Sequence, residues 1–183
     1  MKFTSTDLPG VILAEPQLFQ DERGFLMETW HANKFADAGL HESFVQDNHT
    51  RSAHGVLRGM HLQLKQSQGK LVRVASGAIF DVAVDLRLHS THFGKWTGHI
   101  LSEQNKLQMW IPQGFAHGFY VLSEITDVIY KCTDFYLPAA ERTLRWDDPE
   151  VGICWPLLNG QPPVLSGKDA KGLTLRELRR FLL

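Results

Sequence analysis

The sequence predicts an all-β domain of the sandwich or barrel type, and three observations carry that prediction. Runs of strand-forming residues follow one another at short spacing from residue 70 onward, with glycines at their ends. In one of them Phe80, Val82, Val84 and Leu86 alternate with Asp81, Ala83, Asp85 and Arg87, the period-two pattern of a strand with one apolar and one polar face. Helical periodicity is nearly absent before the C-terminal segment. Many short strands within one domain resolve into a sandwich or barrel, which limits exposed sheet edges.

Size and composition agree with this. A chain of 183 residues, 43% hydrophobic and 21% charged, builds one core, so a single domain over 1–183 is expected. The net charge of −1 argues against a general nucleic-acid binder. No apolar run is long enough to span a bilayer, and the segment 1–7 lacks the apolar region of a signal peptide. Two cysteines, Cys132 and Cys154, make neither a disulfide framework nor a zinc knuckle. The expectation is a cytoplasmic protein without membrane or nucleic-acid partners.

Taken in order, residues 11–19 read as a strand broken at Pro16, 21–24 as a turn, and 25–31 as a second strand containing Glu28. Residues 32–40 fit a short helix stopped at Gly39. The stretch 44–51 is extended but polar for a strand, with Gln46, Asp47, Asn48 and His49. A strand over 55–64 is followed by a polar loop, 65–69, and then by strands at 70–75, 78–88, 95–101, 107–111, 115–122 and 125–133. Leu175, Leu178 and Phe181 place a short amphipathic helix at 174–181.

The strand Gly55-Val56-Leu57-Arg58-Gly59-Met60-His61-Leu62-Gln63 is the most informative stretch. Its apolar content makes it a strand, yet it carries Arg58 and His61, whose burial is costly unless polar groups meet them. Two readings stand: a surface arginine beside a satisfied core histidine, or two members of a pocket for a polar ligand. Strict alternation puts Leu57, Gly59, His61 and Gln63 on one face and Arg58 on the other. Both reach one lumen only through a bulge near Gly59.

His61 is the first candidate for a general base. His31, His41, His89, His92 and His99 stand in loop-like contexts and read as solvated surface, while His49 and His54 stay open. His117 lies in Pro112-Gln113-Gly114-Phe115-Ala116-His117, a turn feeding a strand, whose spacing resembles the second cupin motif. A metal cupin would also need a His-x-His pair and a carboxylate; here Gln63 stands at the second histidine's place, so a metal site is under-liganded. By themselves, Tyr130 is as consistent with an amphipathic core residue, Tyr136 with a loop aromatic or a base-stacking platform, and Lys70, Arg73 and Lys168 with solvated charges.

The ordered set of segments is far more specific than any one of them. Asp21-Glu22-Arg23-Gly24-Phe25, Gln46-Asp47-Asn48, Val56 to Gln63, Gly69-Lys70-Leu71-Val72-Arg73, Phe80 to Arg87, Ile111 to Phe119, Tyr130-Lys131 and Leu165-Ser166-Gly167-Lys168-Asp169 occur in one order. Together they resemble the dTDP-4-dehydrorhamnose 3,5-epimerases, metal-independent cupins of dTDP-L-rhamnose synthesis, over roughly residues 3 to 170. The resemblance implies a cupin-type double-stranded β-helix, a jelly-roll barrel with short helices. It implies an isomerase without cofactor that inverts C3 and C5 of dTDP-4-dehydro-6-deoxy-D-glucose through enolates flanking the C4 ketone. It further implies His61 as base, Asp169 as its orienting carboxylate, Tyr130 as acid on the far face and Lys70 at the enolate oxygen. Arg23, Glu28, Gln46, Asn48, Arg58, His117, Tyr136, Glu141 and Lys168 are implied around the dTDP moiety, Tyr136 stacking on thymine. A homodimer is implied, the early strand with Arg23 and Glu28 crossing to the partner subunit. Met60 replaces the family's usual Leu, and His49-Thr50-Arg51 departs slightly from its usual run. Relatives that epimerise only C3 or only C5, a metal-dependent cupin and a non-catalytic nucleotide-sugar binding module are the alternatives.

Overall fold

The computed structural model describes residues 1–182, so the last residue of the expected domain lies outside the described residues. Its strands are β1 (Lys2–Ser5), β2 (Ile12–Glu15), β3 (Leu18–Asp21), β4 (Gly24–Met27), β5 (Gln46–Ala53), β6 (Leu57–Gln63) and β7 (Lys70–Ser76). They continue with β8 (Ala78–Asp85), β9 (Trp96–Ser102), β10 (Gln108–Ile111), β11 (Phe115–Val121), β12 (Ile125–Cys132) and β13 (Glu141–Thr143). Helix α1 (Ala32–Asp37) precedes β5, and α2 (Leu175–Leu178) lies near the C-terminus. Two antiparallel sheets face one another: a larger one in the order β1-β2-β10-β7-β12-β5 and a smaller one in the order β13-β6-β11-β8-β9. The expected all-β architecture, a jelly-roll barrel with short helices including one near the C-terminus, is what the chain adopts.

The principal core lies between the sheets. Val72, Val74, Met109, Ile111 and Val128 of the larger sheet meet Ile79, Ala83, Leu101, Phe115, Phe119 and Val121 of the smaller one. A second apolar layer covers the outer side of the smaller sheet, where Met60, Leu62, Val82, Val84 and Ala116 pack under Leu144, Val151, Leu175 and Leu178. A third, Ala14, Phe35, Leu40, Leu71 and Trp110, seats α1 on the outside of the larger sheet. Each sheet therefore has two partly covered faces.

Several boundaries differ from those expected, each for a local reason. The strand expected at 11–19 divides at Pro16 into β2, in the larger sheet, and β3, which pairs only with β4 in a separate hairpin. The second strand stops at Met27 instead of reaching His31. Strands β1 and β13 were not foreseen. They are short and, in Lys2-Phe3-Thr4-Ser5 and Glu141-Arg142-Thr143, almost devoid of apolar alternation. Helix α2 begins at a capping box in which Thr174 and Glu177 satisfy each other's backbone N–H groups. Leu175 and Leu178 are buried as expected, but Phe181 is 48% exposed, in the 3-10 turn Arg179–Phe181 that follows.

The polar face of β8 is the main reversal. Phe80, Val82, Val84 and Leu86 point away from the principal core, toward the C-terminal segment. Asp81 and Asp85, on the face that read as polar, are wholly buried. Asp85 is held there by Arg87 and Ser90, and Asp81 by His117 through Oδ1 alone, its buried Oδ2 being without a partner among the described residues.

Candidate active site

Strand β6 forms the floor of the site, and its pairing with β11 explains how. The register is His117 opposite His61 but Phe119 opposite Arg58, so three steps along β6 match two along β11. One extra residue sits in β6, a bulge at Gly59-Met60, and it brings Arg58 and His61 to the same inner face. Two glycines make room for it. At Gly59 φ is +135° and an added Cβ would lie 2.5 Å from Gly118 Cα; at Gly118 an added Cβ would lie 2.8 Å from the Arg58 carbonyl oxygen.

A cavity of about 630 Å³ opens beside this bulge. The larger sheet contributes Gln46, Asn48 and Thr50 from β5, Lys70 from β7 and Tyr130 from β12. Arg58, His61 and Gln63 of β6 and Glu141 of β13 form the smaller sheet's wall, and Lys168 and Asp169 arrive from the C-terminal segment. That segment is held against β6 by backbone bonds, Leu57 N–H to Val164 O at 3.0 Å and Val164 N–H to Gly55 O at 2.8 Å. Ser166 Oγ then accepts from the Asp169 N–H at 3.1 Å, fixing the turn that aims the carboxylate.

Asp169, 4% exposed, lies with Oδ1 2.6 Å from His61 Nε2. Burial alone would raise its pKa, but the bond from His61, the Ser166 hydroxyl and the nearby Lys168 together hold it below the usual carboxylate range. An ionised carboxylate only accepts, so Nε2 carries the hydrogen and Nδ1 is left as the basic nitrogen of the ring. Tyr130 faces the cavity from the opposite sheet, and burial, reinforced by Cys132, pushes its phenol up to about 12. It is thus a neutral O–H donor throughout the ordinary pH range.

Burial pulls the Lys70 ammonium down from its ordinary value, against the pull of Cys132, Glu141 and Asp81. No ion pair or side-chain hydrogen bond engages Lys70 among the described residues, so its charge is available to a ligand. Arg58 is steadied by Ser52, Nε to Oγ at 2.9 Å. Glu141 accepts from Lys168 Nζ at 2.8 Å and from the Tyr136 hydroxyl at 2.9 Å. Burial would raise Glu141, yet those two bonds and His61 bring it below its ordinary value.

Ten of the residues singled out in the sequence thus share one cavity: Gln46, Asn48, Arg58, His61, Lys70, Tyr130, Tyr136, Glu141, Lys168 and Asp169. Three do not line it. His117 is only 6% exposed and is bonded through Nε2 to Asp81 Oδ1 at 2.7 Å, behind the wall. Arg23 sits on the exposed β3–β4 turn paired with Asp21, and Glu28 pairs with Lys34 at 2.8 Å. Sequence reasoning missed Ser52, Ser166 and Asp81 as supports of the site. Only Asp81 carried a signal, a carboxylate in the middle of a largely apolar strand.

No group of three His, Cys, Asp or Glu side chains among the described residues is arranged to hold a metal ion. Gln63, at the place of a metal cupin's second histidine, has its amide spent on backbone groups.

The family model described as dTDP-4-dehydrorhamnose 3,5-epimerase matches residues 5–177. A dTDP-4-dehydrorhamnose 3,5-epimerase of Pseudomonas aeruginosa is 56% identical over 173 residues, covering 94% of each chain. One from Escherichia coli is 47% identical and covers 100% of this chain and 99% of its own. Among solved structures, the dTDP-6-deoxy-D-glucose-3,5-epimerase of Legionella pneumophila, in complex with dTDP-4-keto-L-rhamnose, superposes with a TM-score of 0.95 at 49% identity. That match covers 100% of this chain and 96% of the other.

Proposed function

We propose, from the premise that this chain belongs to the dTDP-4-dehydrorhamnose 3,5-epimerase family, that it inverts C3 and C5 of dTDP-4-dehydro-6-deoxy-D-glucose to give dTDP-4-dehydro-L-rhamnose. The observation that carries the mechanism is a base and an acid on opposite sheets of one cavity, His61 and Tyr130. Both reacting carbons flank the C4 ketone, so loss of a proton from either gives an enolate. His61 Nδ1 takes the proton, and Asp169 stabilises the imidazolium without itself being protonated. Lys70, an uncommitted cation lining the same cavity, offsets the charge growing on the C4 oxygen. Tyr130 returns a proton to the opposite face of the same carbon, and solvent resets both side chains. Two such cycles convert substrate to product with no net redox change.

The nucleotide falls to the remaining cations and to the rim. Arg58 and Lys168 suit the diphosphate through charge-assisted hydrogen bonds, and Tyr136, 48% exposed at the rim, suits stacking on thymine. Gln46 and Glu141 bond Tyr136 from the two sheets and Asn48 accepts from Gln46, while His117 has Nε2 committed to Asp81, so any contact it makes with substrate falls to Nδ1. Arg23 and Glu28 complete a site only in a neighbouring subunit. The exposure of Phe19, Phe25 and Leu26 on the β3–β4 hairpin, at 56%, 52% and 70%, supports a homodimer in which this hairpin is exchanged. The chain is then one domain throughout, and its free cysteines, Cys132 and Cys154, fit the reducing cytoplasm.

Turnover in deuterated water tests the reaction. Both C3 and C5 of the product are expected to carry deuterium by NMR, and His61→Asn is expected to lower the rate by about 10²–10⁴. Label at one carbon alone would reduce the activity to mono-epimerisation, and an unlabelled or unchanged sugar would remove the reading.

A further inference from the structure

Gln63 stands in the cavity wall, yet the chemistry above makes no use of it. Its side chain is fully engaged with two loops: Nε2 donates to Gln66 O at 2.7 Å and to Phe135 O at 3.2 Å, and Oε1 accepts from the Leu137 N–H at 2.7 Å. The residue is 7% exposed, so these bonds form away from water, where losing any of them strands a buried polar group. A neutral imidazole has one donor and one acceptor and could not make all three.

The segment it grips is the one that bears Tyr136. Phe135 and Tyr136 are 60% and 48% exposed, so apolar packing does not hold this stretch in place. Polar bonds do. Gln68 Nε2 donates to Asp134 O at 2.8 Å, the Tyr136 N–H donates to Gln46 Oε1 at 2.9 Å, and the Tyr136 hydroxyl donates to Glu141. Gln63 is the buried hub of that set, contacting the backbone on either side of Tyr136.

We infer that Gln63 is a positioning residue: its carboxamide sets the place of the 134–137 segment, and through Tyr136 it governs affinity for the nucleotide rather than the proton transfers. The coupling to substrate rests on the nucleotide-sugar reading above; the grip on the segment does not.

Gln63→Leu removes all three bonds at similar volume, and Gln63→Glu keeps the acceptor for Leu137 while losing both donors. Gln63→Glu also supplies the comparison where Gln63→Leu fails to fold. In both variants the KM for the dTDP-keto sugar and the Kd for dTDP are expected to rise about tenfold, with kcat within about threefold of the parent. In a Tyr136→Ala background, Gln63→Leu is expected to add less than about twofold, since residues acting through one another are not additive. Penalties that multiply, or a kcat loss at constant KM, would overturn the inference. Hydrogen exchange of the Leu137 amide reads the grip with no ligand present: faster exchange in Gln63→Leu supports it, and unchanged protection sinks it. If dTDP failed to bind the parent protein, the nucleotide-sugar reading would fall by itself, with the exchange result still deciding the role of Gln63 in holding the loop.

Discussion

Lys70 is the residue at which stability and chemistry pull apart. Burial lowers its pKa from the ordinary 10.5, which means that enclosing the ammonium costs folding free energy while it is charged. Between the lowered value and 10.5 the unfolded chain binds more protons than the folded one, so stability rises with pH through that window. The proposed catalysis has the opposite demand, because only the ammonium offsets an enolate. Lys70→Met, which keeps the apolar stem, is therefore expected to raise Tm while lowering kcat by about 10²–10³. The parent enzyme's rate should fall on an alkaline limb below pH 10.5, and that limb should be missing from the residual activity of the variant. A lowered Tm in Lys70→Met, or a limb at the ordinary lysine value, would refute the assignment. Asp169 has a simpler balance: held below its usual range by His61, it keeps the dyad's contribution to stability at neutral pH and loses it only as acid protonates it.

At the scale of the element, the bulge in β6 is what allows one strand to turn both Arg58 and His61, the proposed diphosphate anchor and base, into the cavity. Regular alternation would have turned Arg58 toward the layer that holds Met60 and Leu62. The bulge in turn requires that β11 come close, and Gly118 is where it does. A methyl group there would sit 2.6 Å from Met60 Sδ and 2.8 Å from the Arg58 carbonyl oxygen. The sulfur can move, whereas the backbone oxygen is part of the bulge. Gly118→Ala is expected to cost roughly 1–3 kcal/mol, seen as a lower urea midpoint at unchanged m-value, with activity falling further than the unfolded fraction explains. A variant of parental stability and activity would show that the close approach is dispensable.

At the scale of the whole molecule, the described chain holds His61, Tyr130 and the cations Arg58, Lys70 and Lys168 in one cavity, but it leaves Arg23 and Glu28 on elements outside it. The β3–β4 hairpin belongs to neither large sheet and exposes three large apolar side chains, a surface that association would cover. If subunits exchange this hairpin, each site draws Arg23 from one chain and His61 from the other. Mixing Arg23→Ala and His61→Asn chains, unfolding and refolding them together, should then restore activity. Random pairing into two-fold dimers allows up to roughly a quarter of the parent's rate. No gain over the separate variants, despite measured heterodimers, would place each site within a single chain.

Much of this was open to inspection in the sequence, and the remainder was hidden for identifiable reasons. The succession of strands from β7 to β12 was legible because propensity and period-two alternation are local properties, recorded residue by residue. That His61, Tyr130, Lys70 and Asp169 belong to one cavity was legible through their ordered motifs, and the need for a bulge near Gly59 followed from counting residues between Arg58 and His61. Strands β1 and β13 were not, since edge strands of three or four mostly polar residues take their form from the neighbour they pair with. Nor was the buried Asp81–His117 pair. Alternation in β8 separates two faces but cannot say which of them is interior. That was decided by the segment from Leu144 to Leu178, which covers the apolar face and leaves the carboxylates facing the other sheet. The sequence by itself determined the strands, their spacing and the kinds of chemical group available. Only the tertiary structure decided inside from outside and which distant groups meet, because both depend on what packs against a face, and contacts from far along the chain settle that.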